Sequence, residues 1–331
     1  MSEPQQGFTL DRIIGTSDAL VQTLGSARRV AQASTSTVLI IGETGTGKEL
    51  FARGIHYEGV HAAAPFVAIN CAAIPDTLLE SELFGHEAGA FTGATVRKVG
   101  LMELAGNGTL FLDEVHQLPI QAQPKLLRAL EARHVRRLGG TQEIAIDCRI
   151  IAASNVSIER AVEEETFRDD LFYRLNVLRI DIPPLRERRG DVPILARHFV
   201  REMCREHRRG EKELTTQALS LLAEHRWPGN VRELKNVIER ATVLSGASGA
   251  ITPAHLAIKH RVPRLAVSSG AALAGEIEVP MEGKSMRAIE REAVMLTLRA
   301  TDGNQSQAAK MLGISRPTLA KLVREQEPSA S

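Results

Sequence analysis

The chain has 331 residues, a length of about two domains, with 41 Lys and Arg against 40 Asp and Glu and a formal net charge of +1. Its composition, 43% hydrophobic and 24% charged, is that of a soluble globular protein and excludes a largely disordered, collagen-like or disulfide-scaffold chain. No apolar run approaches the ~18 residues of a membrane span and the N-terminus carries no signal peptide, so we expect a cytoplasmic protein with no membrane partner.

The first half of the chain alternates between predicted helices and strands. Ser17 is expected to cap a helix that precedes the first strand. Short apolar runs followed by polar, Gly or Pro residues predict five buried strands, the last of them weaker, at residues 38–41, 66–69, 109–112, 149–153 and 177–182. This alternation predicts an α/β domain with a parallel sheet and helices on both faces.

The second half is predicted to be helical. After Pro183-Pro184 the strand signal disappears, and residues 190 to 260 are expected to form a small helical subdomain. A stretch rich in Ala, Gly, Ser, Pro and Val at residues 261–284 indicates a linker, and the last part of the chain is expected to form a separate helical module.

A glycine-rich segment follows the first predicted strand and opens a helix, which is the context of a phosphate-binding loop. Its residues are Gly42, Glu43, Thr44, Gly45, Thr46, Gly47 and Lys48. The backbone N–H groups and the helix N-terminus would face the phosphates, and Lys48 would reach the β- and γ-phosphates. A plain glycine-rich turn is disfavoured because position, spacing and lysine all match. Glu49 stands where the general pattern has Ser or Thr, so the usual hydroxyl ligand to Mg²⁺ is missing.

Two carboxylates follow the third predicted strand, which places them at the sheet edge beside the phosphate loop. We expect Asp113 to hold Mg²⁺ and Glu114 to polarise the attacking water. Asn155, after the fourth strand, is a candidate sensor of the γ-phosphate, and Asn70, after the second, is a candidate partner of Glu114. A capping or turn asparagine is an equally good interpretation of both.

Three arginines are candidates to stabilise charge on a transferred phosphoryl group. Arg168 and Arg174 lie in one short segment, and Arg232 starts a predicted amphipathic helix. From the residue pattern alone, a solvated or salt-bridged surface arginine is the stronger interpretation of each.

The segment from Asn304 to Arg324 contains four basic residues and no acidic one, a pattern expected of a DNA-binding element. It also has the pattern of a helix-turn-helix, with Ile314, Leu319 and Leu322 as its core. The candidate DNA contacts are Arg316, Thr318, Lys321 and Arg324. The alternative is a three-helix cap with a solvated basic face.

The chain closely resembles the bacterial enhancer-binding proteins, AAA+ activators that work with the sigma-54 form of RNA polymerase. The matching segments are GETGTGKE (42–49), ESELFGHEAGAFTGA (80–94), GTLFLDE (108–114), FRDDLFYRLNV (167–177), PPLRERRGD (183–191) and WPGNVRELKN (227–236). The resemblance implies an α/β AAA+ P-loop ATPase with a parallel sheet and a helical lid, followed by a small all-α Fis-type helix-turn-helix domain.

The resemblance also implies roles for the ambiguous residues. Arg168 and Arg174 match trans-acting arginine fingers, which complete a neighbouring subunit's site, so the ATPase is expected to work as a homo-oligomeric ring, usually a hexamer. Arg232 matches the cis-acting sensor of the lid, and Asn70 matches the residue that switches Glu114. Glu49 is also what this family carries.

Residues Gly89, Ala90, Phe91, Thr92, Gly93 and Ala94 form a segment with little apolar surface to bury, which predicts a mobile loop. The alternative is a flexible turn with Phe91 in the core. In the family that the chain resembles, the same six residues form the tip that contacts sigma-54. Phe91 and Thr92 would make the contact, and the nucleotide state would raise or lower the loop.

Together these features imply an ATP-driven transcription activator. The C-terminal module would bind double-stranded enhancer DNA, and ATP hydrolysis would drive loop 89–94 against sigma-54 RNA polymerase holoenzyme, which converts the closed promoter complex to the open one. One rival is a DNA-binding regulator that uses ATP only as an assembly switch, which a complete catalytic set disfavours. The other is an AAA+ machine acting on DNA itself, such as a helicase or loader, which loop 89–94 disfavours.

The expected domains are an N-terminal tail (1–7), an AAA+ α/β subdomain (8–182), its helical lid (183–260), a linker (261–284) and the DNA-binding domain (285–331). Many members of the resembled family carry an N-terminal receiver or ligand-sensing domain, for which the short tail leaves no room. We therefore expect control in trans by a separate regulatory protein, with control by expression level, or no control, as the alternatives.

Overall fold

The computed structural model describes residues 7–33, 37–208, 210–246, 248–258, 294–298, 301, 304–312, 314, 318–319 and 322. The chain divides into two compact units, Met1–His260 and Arg261–Ser331. No helix among the described residues is long and apolar enough to span a membrane.

The first unit contains helices and strands in alternation. In chain order they are α1 (Asp18–Ala31), β1 (Val38–Ile41), α2 (Lys48–Tyr57), β2 (Phe66–Asn70), α3 (Asp76–Phe84), β3 (Gly85–His86), β4 (Lys98–Val99), α4 (Leu101–Leu104), β5 (Thr109–Asp113), α5 (Gln123–Ala132), β6 (His134–Arg136), β7 (Glu143–Ala145), β8 (Arg149–Ser154), α6 (Ile158–Glu163), α7 (Asp169–Leu175), β9 (Leu178–Asp181), α8 (Asp191–Glu206), β10 (Glu213–Leu214), α9 (Thr216–Glu224), α10 (Asn230–Leu244), β11 (Ala250–Ile251) and α11 (Pro253–Leu256).

A five-stranded parallel sheet, in the order β2-β5-β8-β1-β9, forms the centre of this unit. Alternate residues of the three central strands, β5, β8 and β1, enter different hydrophobic clusters. Leu39 and Ile150 pack with residues of α3, α5 and α7, whereas Ile40 and Ile151 pack with residues of α1 and α2. Both faces of the sheet are therefore covered by helices, which confirms the predicted α/β class. Because the strands are parallel, their carboxyl ends share one edge, where a site can form.

The predicted strands all form, and their ends shift by at most one residue. The structure adds two hairpins that the sequence pattern does not reveal, β3–β4 and β6–β7. Strands of two or three residues are too short for a visible two-residue periodicity. The expectation that the strand signal ends after Pro183-Pro184 is wrong in one detail, since β10 and β11 form a short parallel pair within the helical part.

The lid is the helical part of this unit, from α8 to α11. Its core is built around Trp227, which is fully buried and donates its Nε1–H to the Leu222 carbonyl oxygen at 2.9 Å. Trp227 and Asn230 both have φ of 52°. A bulky residue adopts this left-handed region only when its surroundings demand it, so the segment between them is a fixed turn that begins α10.

The second unit is described in part. It contains helical residues 294–298 and α12 (Gln305–Met311). Ala308, Ala309 and Leu319 are buried with Val294, and Ile314 and Leu322 pack against them, as predicted for a helix-turn-helix core. Among the predicted DNA contacts Thr318 is exposed, whereas Arg316, Lys321 and Arg324 lie outside the described residues.

Candidate functional site

The phosphate loop lies between β1 and α2. Gly45 and Gly47 have φ of 81° and 100°, a conformation that favours glycine. Lys48 is almost fully buried, and its Nζ donates to the Gly42 carbonyl oxygen at 3.0 Å. The first N–H groups of α2 have no side-chain cap, so they remain available to an anion at the helix N-terminus.

Glu114 lies directly beside Lys48, with 3.5 Å between Oε1 and Nζ. Its other oxygen, Oε2, accepts a hydrogen bond from the backbone N–H of Asn155 at 3.1 Å and lies 3.6 Å from His116 Nδ1. Glu114 has a left-handed backbone with φ of 52°. The ends of β5 and β8 and the start of α2 thus come together at one carboxylate, as the sequence predicts.

Asp113 ends β5 next to Glu114. Burial raises the pKa of its carboxyl group, and the negative charge of Glu114 raises it further. A divalent cation suits such a crowded pair because its charge offsets the repulsion. The described residues contain no group of three or more His, Cys, Asp or Glu that could hold a metal. Mg²⁺ commonly relies on one or two carboxylates, phosphate oxygens and water, so Asp113 fits that mode.

The two candidate asparagines behave differently. Asn155 Nδ2 donates to Thr44 Oγ1 at 2.9 Å, so its amide lies at the phosphate loop. Its Oδ1 is buried without a hydrogen-bond partner among the described residues. Asn70 Oδ1 instead accepts from the backbone N–H of Ala72 at 2.9 Å and caps a short 3₁₀ turn. In this structure Asn70 therefore has the capping role, and its switching of Glu114 stays a prediction.

The lid contacts the phosphate loop through residues that the sequence reasoning missed. Asn230 is fully buried, and its Nδ2 donates to the Thr44 carbonyl oxygen at 3.0 Å and to Glu43 Oε2 at 3.1 Å. The Val231 N–H donates to the Gly45 carbonyl oxygen at 3.0 Å. Arg186 forms an ion pair with Glu43. The segments 183–191 and 227–236 mark these residues in the sequence, but neither segment indicates their contact with the phosphate loop.

Arg232 is exposed at this junction. Its backbone N–H lies 3.4 Å from the Gly45 carbonyl oxygen, and its guanidinium has no ion-pair partner within the described part of the chain. Glu49, by contrast, turns away from the loop to an exposed ion pair with Arg53 at 2.7 Å.

Of the two candidate arginine fingers, Arg168 is the N-cap of α7 and Arg174 lies in its last turn, and neither forms a hydrogen bond or ion pair with the phosphate loop of its own chain. Arg168 is exposed and bonded to Asp170 through two N–H groups at 3.0 and 2.7 Å. Arg174 Nη2 donates to the Leu130 carbonyl oxygen at 3.1 Å. In this structure both guanidinium groups are therefore engaged away from the phosphate loop, and their role as fingers stays a prediction.

Loop 89–94 projects from the β3–β4 hairpin. The Gly89 N–H donates to the Ala94 carbonyl oxygen at 2.7 Å and closes the loop. Phe91 is 40% exposed and lies edge-on to His86, with 5.0 Å between ring centroids. The alternative in which Phe91 enters the core is wrong, because the ring touches the loop base and solvent.

The base of that loop is held by charge. Arg137 is buried and bonds Glu87 at 2.8 Å and Glu103 at 2.9 and 2.5 Å. These hydrogen bonds raise the pKa of the Arg137 guanidinium further above its ordinary value. An ion-paired base and an exposed apolar tip suit a loop that presents Phe91 to a partner.

Comparisons with known proteins cover almost the whole chain. Residues 13–181 match the sigma-54 interaction domain, residues 186–267 the AAA+ ATPase lid domain, and residues 285–322 the bacterial regulatory protein, Fis family. Regulatory protein AtoC of Escherichia coli is 44% identical over 95% of this chain and 67% of AtoC. The Nif-specific regulatory protein of Klebsiella pneumoniae is 44% identical over 94% of this chain and 58% of its own length.

Two solved structures are similar in fold. NtrX from Brucella abortus in complex with ATP has a TM-score of 0.70 and 32% identity, over 95% of this chain and 69% of NtrX. A RuvB mutant from Thermotoga maritima has a TM-score of 0.52 at 16% identity, over 95% of this chain and 88% of RuvB. The second likeness shows the fold alone.

Proposed function

This chain belongs to the sigma-54-dependent transcriptional activators, with an AAA+ domain, its lid and a Fis-type helix-turn-helix, and we propose that it hydrolyses ATP in an oligomeric ring to remodel sigma-54 RNA polymerase. The observation that carries the proposal is Glu114, held between Lys48 and the Asn155 N–H at the phosphate loop. A carboxylate in that position is what hydrolysis needs and what simple nucleotide binding does not.

Each residue at the site has a proposed task. The backbone N–H groups of residues 42–49 and the Lys48 ammonium would bind the phosphates, and Asp113 would hold Mg²⁺. Bound Mg²⁺ would neutralise phosphate charge. Glu114 orients and polarises the attacking water, while Asn155 and Arg232 report the nucleotide state from the sheet and from the lid. Asn70 would exchange its cap for a contact with Glu114.

A ring of subunits, hexameric as in most of the family, is proposed because the site is incomplete in one chain. The phosphate loop has no finger from its own α7, since Arg168 is bonded to Asp170 and Arg174 to Leu130. A neighbouring subunit would supply both arginines. An arginine delivered to the transferring phosphoryl group is worth about 10³–10⁵ in rate.

Coupling to sigma-54 is assigned to loop 89–94, with Phe91 and Thr92 as the contacting residues. The exposed Phe91 ring supports this assignment.

The binding of enhancer DNA is assigned to Arg316, Thr318, Lys321 and Arg324, because basic side chains beside a helix-turn-helix contact phosphates and base edges. The proposed boundaries are 8–182 and 183–260 for the AAA+ domain and its lid, with the linker and DNA-binding domain at 261–284 and 285–331.

The test is open-complex formation in vitro with sigma-54 holoenzyme, a sigma-54 promoter carrying the binding site, and ATP. Permanganate reactivity of the melted strand reports the open complex. Wild type is expected to open the promoter, whereas Thr92→Ala is expected to retain ATP turnover without opening it. Thr95→Ala is the matched control, since Thr95 is also exposed but lies outside the six-residue segment. Opening by Thr92→Ala at the wild-type rate would remove the coupling role from the loop.

The finger assignment has its own test. Arg168→Ala is expected to bind ATP normally and lose hydrolysis, with Arg160→Ala as a control from an exposed ion pair on α6. Retained turnover in Arg168→Ala would contradict the assignment.

The rival function is that of a DNA-binding regulator with ATP as an assembly switch. It predicts ring assembly and transcription without any need for Glu114, and Glu114→Gln tests it in the same reactions.

A further inference from the structure

A carboxylate stands inside the loop that has to receive negatively charged phosphates. Glu43 is the second residue of the phosphate loop, and 40% of its side chain is exposed. An unpaired carboxylate so near the phosphates would weaken nucleotide binding by Coulomb repulsion. The chain therefore needs a way to neutralise this charge.

Arg186 provides the opposite charge in a two-pronged contact. Its Nη1 donates to Glu43 Oε2 at 2.8 Å and its Nη2 lies 2.7 Å from Oε1. Such paired N–H donors fit a carboxylate in one plane, which gives the contact a defined geometry. The hydrogen bond from Arg186 is the main reason that the pKa of Glu43 lies below its usual value. Glu43 is therefore ionised and matched.

The contact crosses from the lid side to the phosphate loop. Arg186 lies in the 3₁₀ turn Leu185–Glu187, which follows Pro183-Pro184 and begins the connection to the lid. The N–H of the preceding residue, Leu185, donates to Asn230 Oδ1 at 2.7 Å, and Asn230 Nδ2 donates to Glu43 Oε2. Both carboxylate oxygens of Glu43 are thus occupied by donors that come from the lid side.

We propose that Arg186 is a positioning residue for nucleotide binding, which neutralises Glu43 and holds its carboxylate on the lid side of the loop. Of the loop's own groups, the phosphates would then meet only the backbone N–H groups and Lys48. The inference rests on the proposed binding of ATP at this loop and adds a residue that acts through Glu43.

If the Glu43–Arg186 pair only held the lid against the loop, the variants would differ in another way. If neutralisation matters, the loss of nucleotide affinity caused by removing Arg186 requires the Glu43 charge and disappears when that charge is also removed. If only the structural contact matters, removing Glu43 as well cannot restore the affinity. The double variant therefore separates the two cases.

The experiment measures the dissociation constant of a fluorescent ATP analogue, with Mg²⁺, for four forms of the full chain. Arg186→Gln is expected to bind about fivefold more weakly than wild type, the scale of one exposed charge interaction. Glu43→Gln keeps the backbone N–H groups of the loop and removes only the side-chain charge, so it is expected to bind more tightly than Arg186→Gln. The double variant Glu43→Gln/Arg186→Gln is expected to return to within about twofold of wild type. A double variant as weak as Arg186→Gln would overturn the proposal.

Two further measurements distinguish loss of charge neutralisation from distortion of the loop. Raising the salt concentration should shrink the defect of Arg186→Gln because it screens exposed charges, whereas a distorted loop would stay defective. Arg186→Lys should bind nearly as wild type, since it keeps the positive charge, and a defect as large as that of Arg186→Gln would contradict neutralisation.

The control is Arg136→Gln, which breaks a comparably exposed Arg–Glu pair on the β6–β7 hairpin and should leave ATP affinity unchanged. Failure of wild type to bind the analogue would refute the proposed function instead. Normal binding by wild type together with normal binding by Arg186→Gln would refute this inference alone.

Discussion

The phosphate loop and loop 89–94 share a backbone signature in opposite surroundings. Gly45 and Gly47 have φ of 81° and 100°, and Gly89 and Gly93 have the same two values. A Cβ atom on Gly45 would lie 2.3 Å from the Gly229 carbonyl oxygen, whereas Cβ atoms on Gly89 and Gly93 would meet nothing within 4 Å.

The difference shows what each glycine-rich segment is built to do. The phosphate loop is pressed against the lid by Asn230 and holds Lys48 in a nearly buried position. Loop 89–94 is closed by backbone hydrogen bonds and leaves Phe91 in solvent. The first loop is fixed against the lid, whereas Gly89 and Gly93 of the second have open space around them.

The largest expected effect is at the catalytic carboxylate. Glu114→Gln keeps the size and shape of the side chain but removes the charge that polarises water, so ATP turnover should fall about 10²–10⁴-fold. ATP affinity should stay within a few-fold of wild type. Turnover and analogue binding measured on the same preparation check this, with Glu143→Gln as an exposed control. Turnover within tenfold of wild type would mean that Glu114 is not the residue that polarises the attacking water.

Gly45→Ala tests the packing side of the comparison. The new methyl group would collide with the Gly229 carbonyl oxygen in a left-handed backbone that disfavours alanine. We expect the free energy of unfolding to fall by about 2–4 kcal/mol, together with ATP affinity. Urea unfolding measures the first and analogue titration the second. A decrease in the free energy of unfolding of less than about 1 kcal/mol would show that the lid can shift to accommodate the methyl group.

A pH series tests how firmly α2, the helix after the phosphate loop, is fixed. His56 is buried and its Nδ1 is 2.9 Å from Thr109 Oγ1. Burial lowers its pKa from 6.5 to about 4. Between pH 6.5 and pH 4 the unfolded chain therefore binds a proton at this histidine that the folded chain does not bind. The contribution of His56 to the free energy of unfolding is fully present above pH 6.5, and about 2–3 kcal/mol of it is lost as the pH falls toward 4.

His56→Gln provides the comparison for that series. Glutamine can replace the hydrogen bond but does not titrate, so urea unfolding at pH 7.5 and 4.5 should show a smaller difference than in wild type by that amount. Equal pH dependence in the two proteins would indicate that folding does not lower the pKa of His56.

The smallest expected effect on stability belongs to Gly93→Ala. Its methyl group meets no atom within 4 Å, so only the left-handed backbone opposes it, at about 1–2 kcal/mol. ATP turnover should be unchanged, while promoter opening should fall. Turnover assays and permanganate footprinting separate the two activities. Loss of turnover in this variant would tie loop 89–94 to the phosphate site and weaken the contrast between the loops.

Local sequence patterns are sufficient to predict the sheet and the position of its carboxylates. Buried parallel strands appear as apolar runs, and their carboxyl ends meet at one edge, so the residue pattern alone brings Lys48, Asp113 and Glu114 together. The same patterns leave the side chain of Phe91 ambiguous, because a short loop with one aromatic residue can bury or expose it.

Contacts between distant segments do not follow from such patterns. Ser17 is predicted to cap α1, yet its Oγ donates to Asp191, 174 residues away, at 2.7 Å. The same carboxylate accepts the Thr16 and Ser17 N–H groups. The Glu43–Arg186 pair and the contacts of the buried Asn230 amide likewise depend on how the lid packs against the phosphate loop. Local periodicity does not predict such packing between distant segments.

The central claim is that loop 89–94 delivers the energy of ATP hydrolysis to sigma-54. The most direct measurement mixes the protein with sigma-54 and an ATP transition-state mimic and looks for a stable complex on a native gel, with Thr92→Ala alongside. The account predicts a complex with wild type that is lost in Thr92→Ala while ATP turnover persists. An equally stable complex with Thr92→Ala, or no complex from a wild-type protein that hydrolyses ATP, would contradict it.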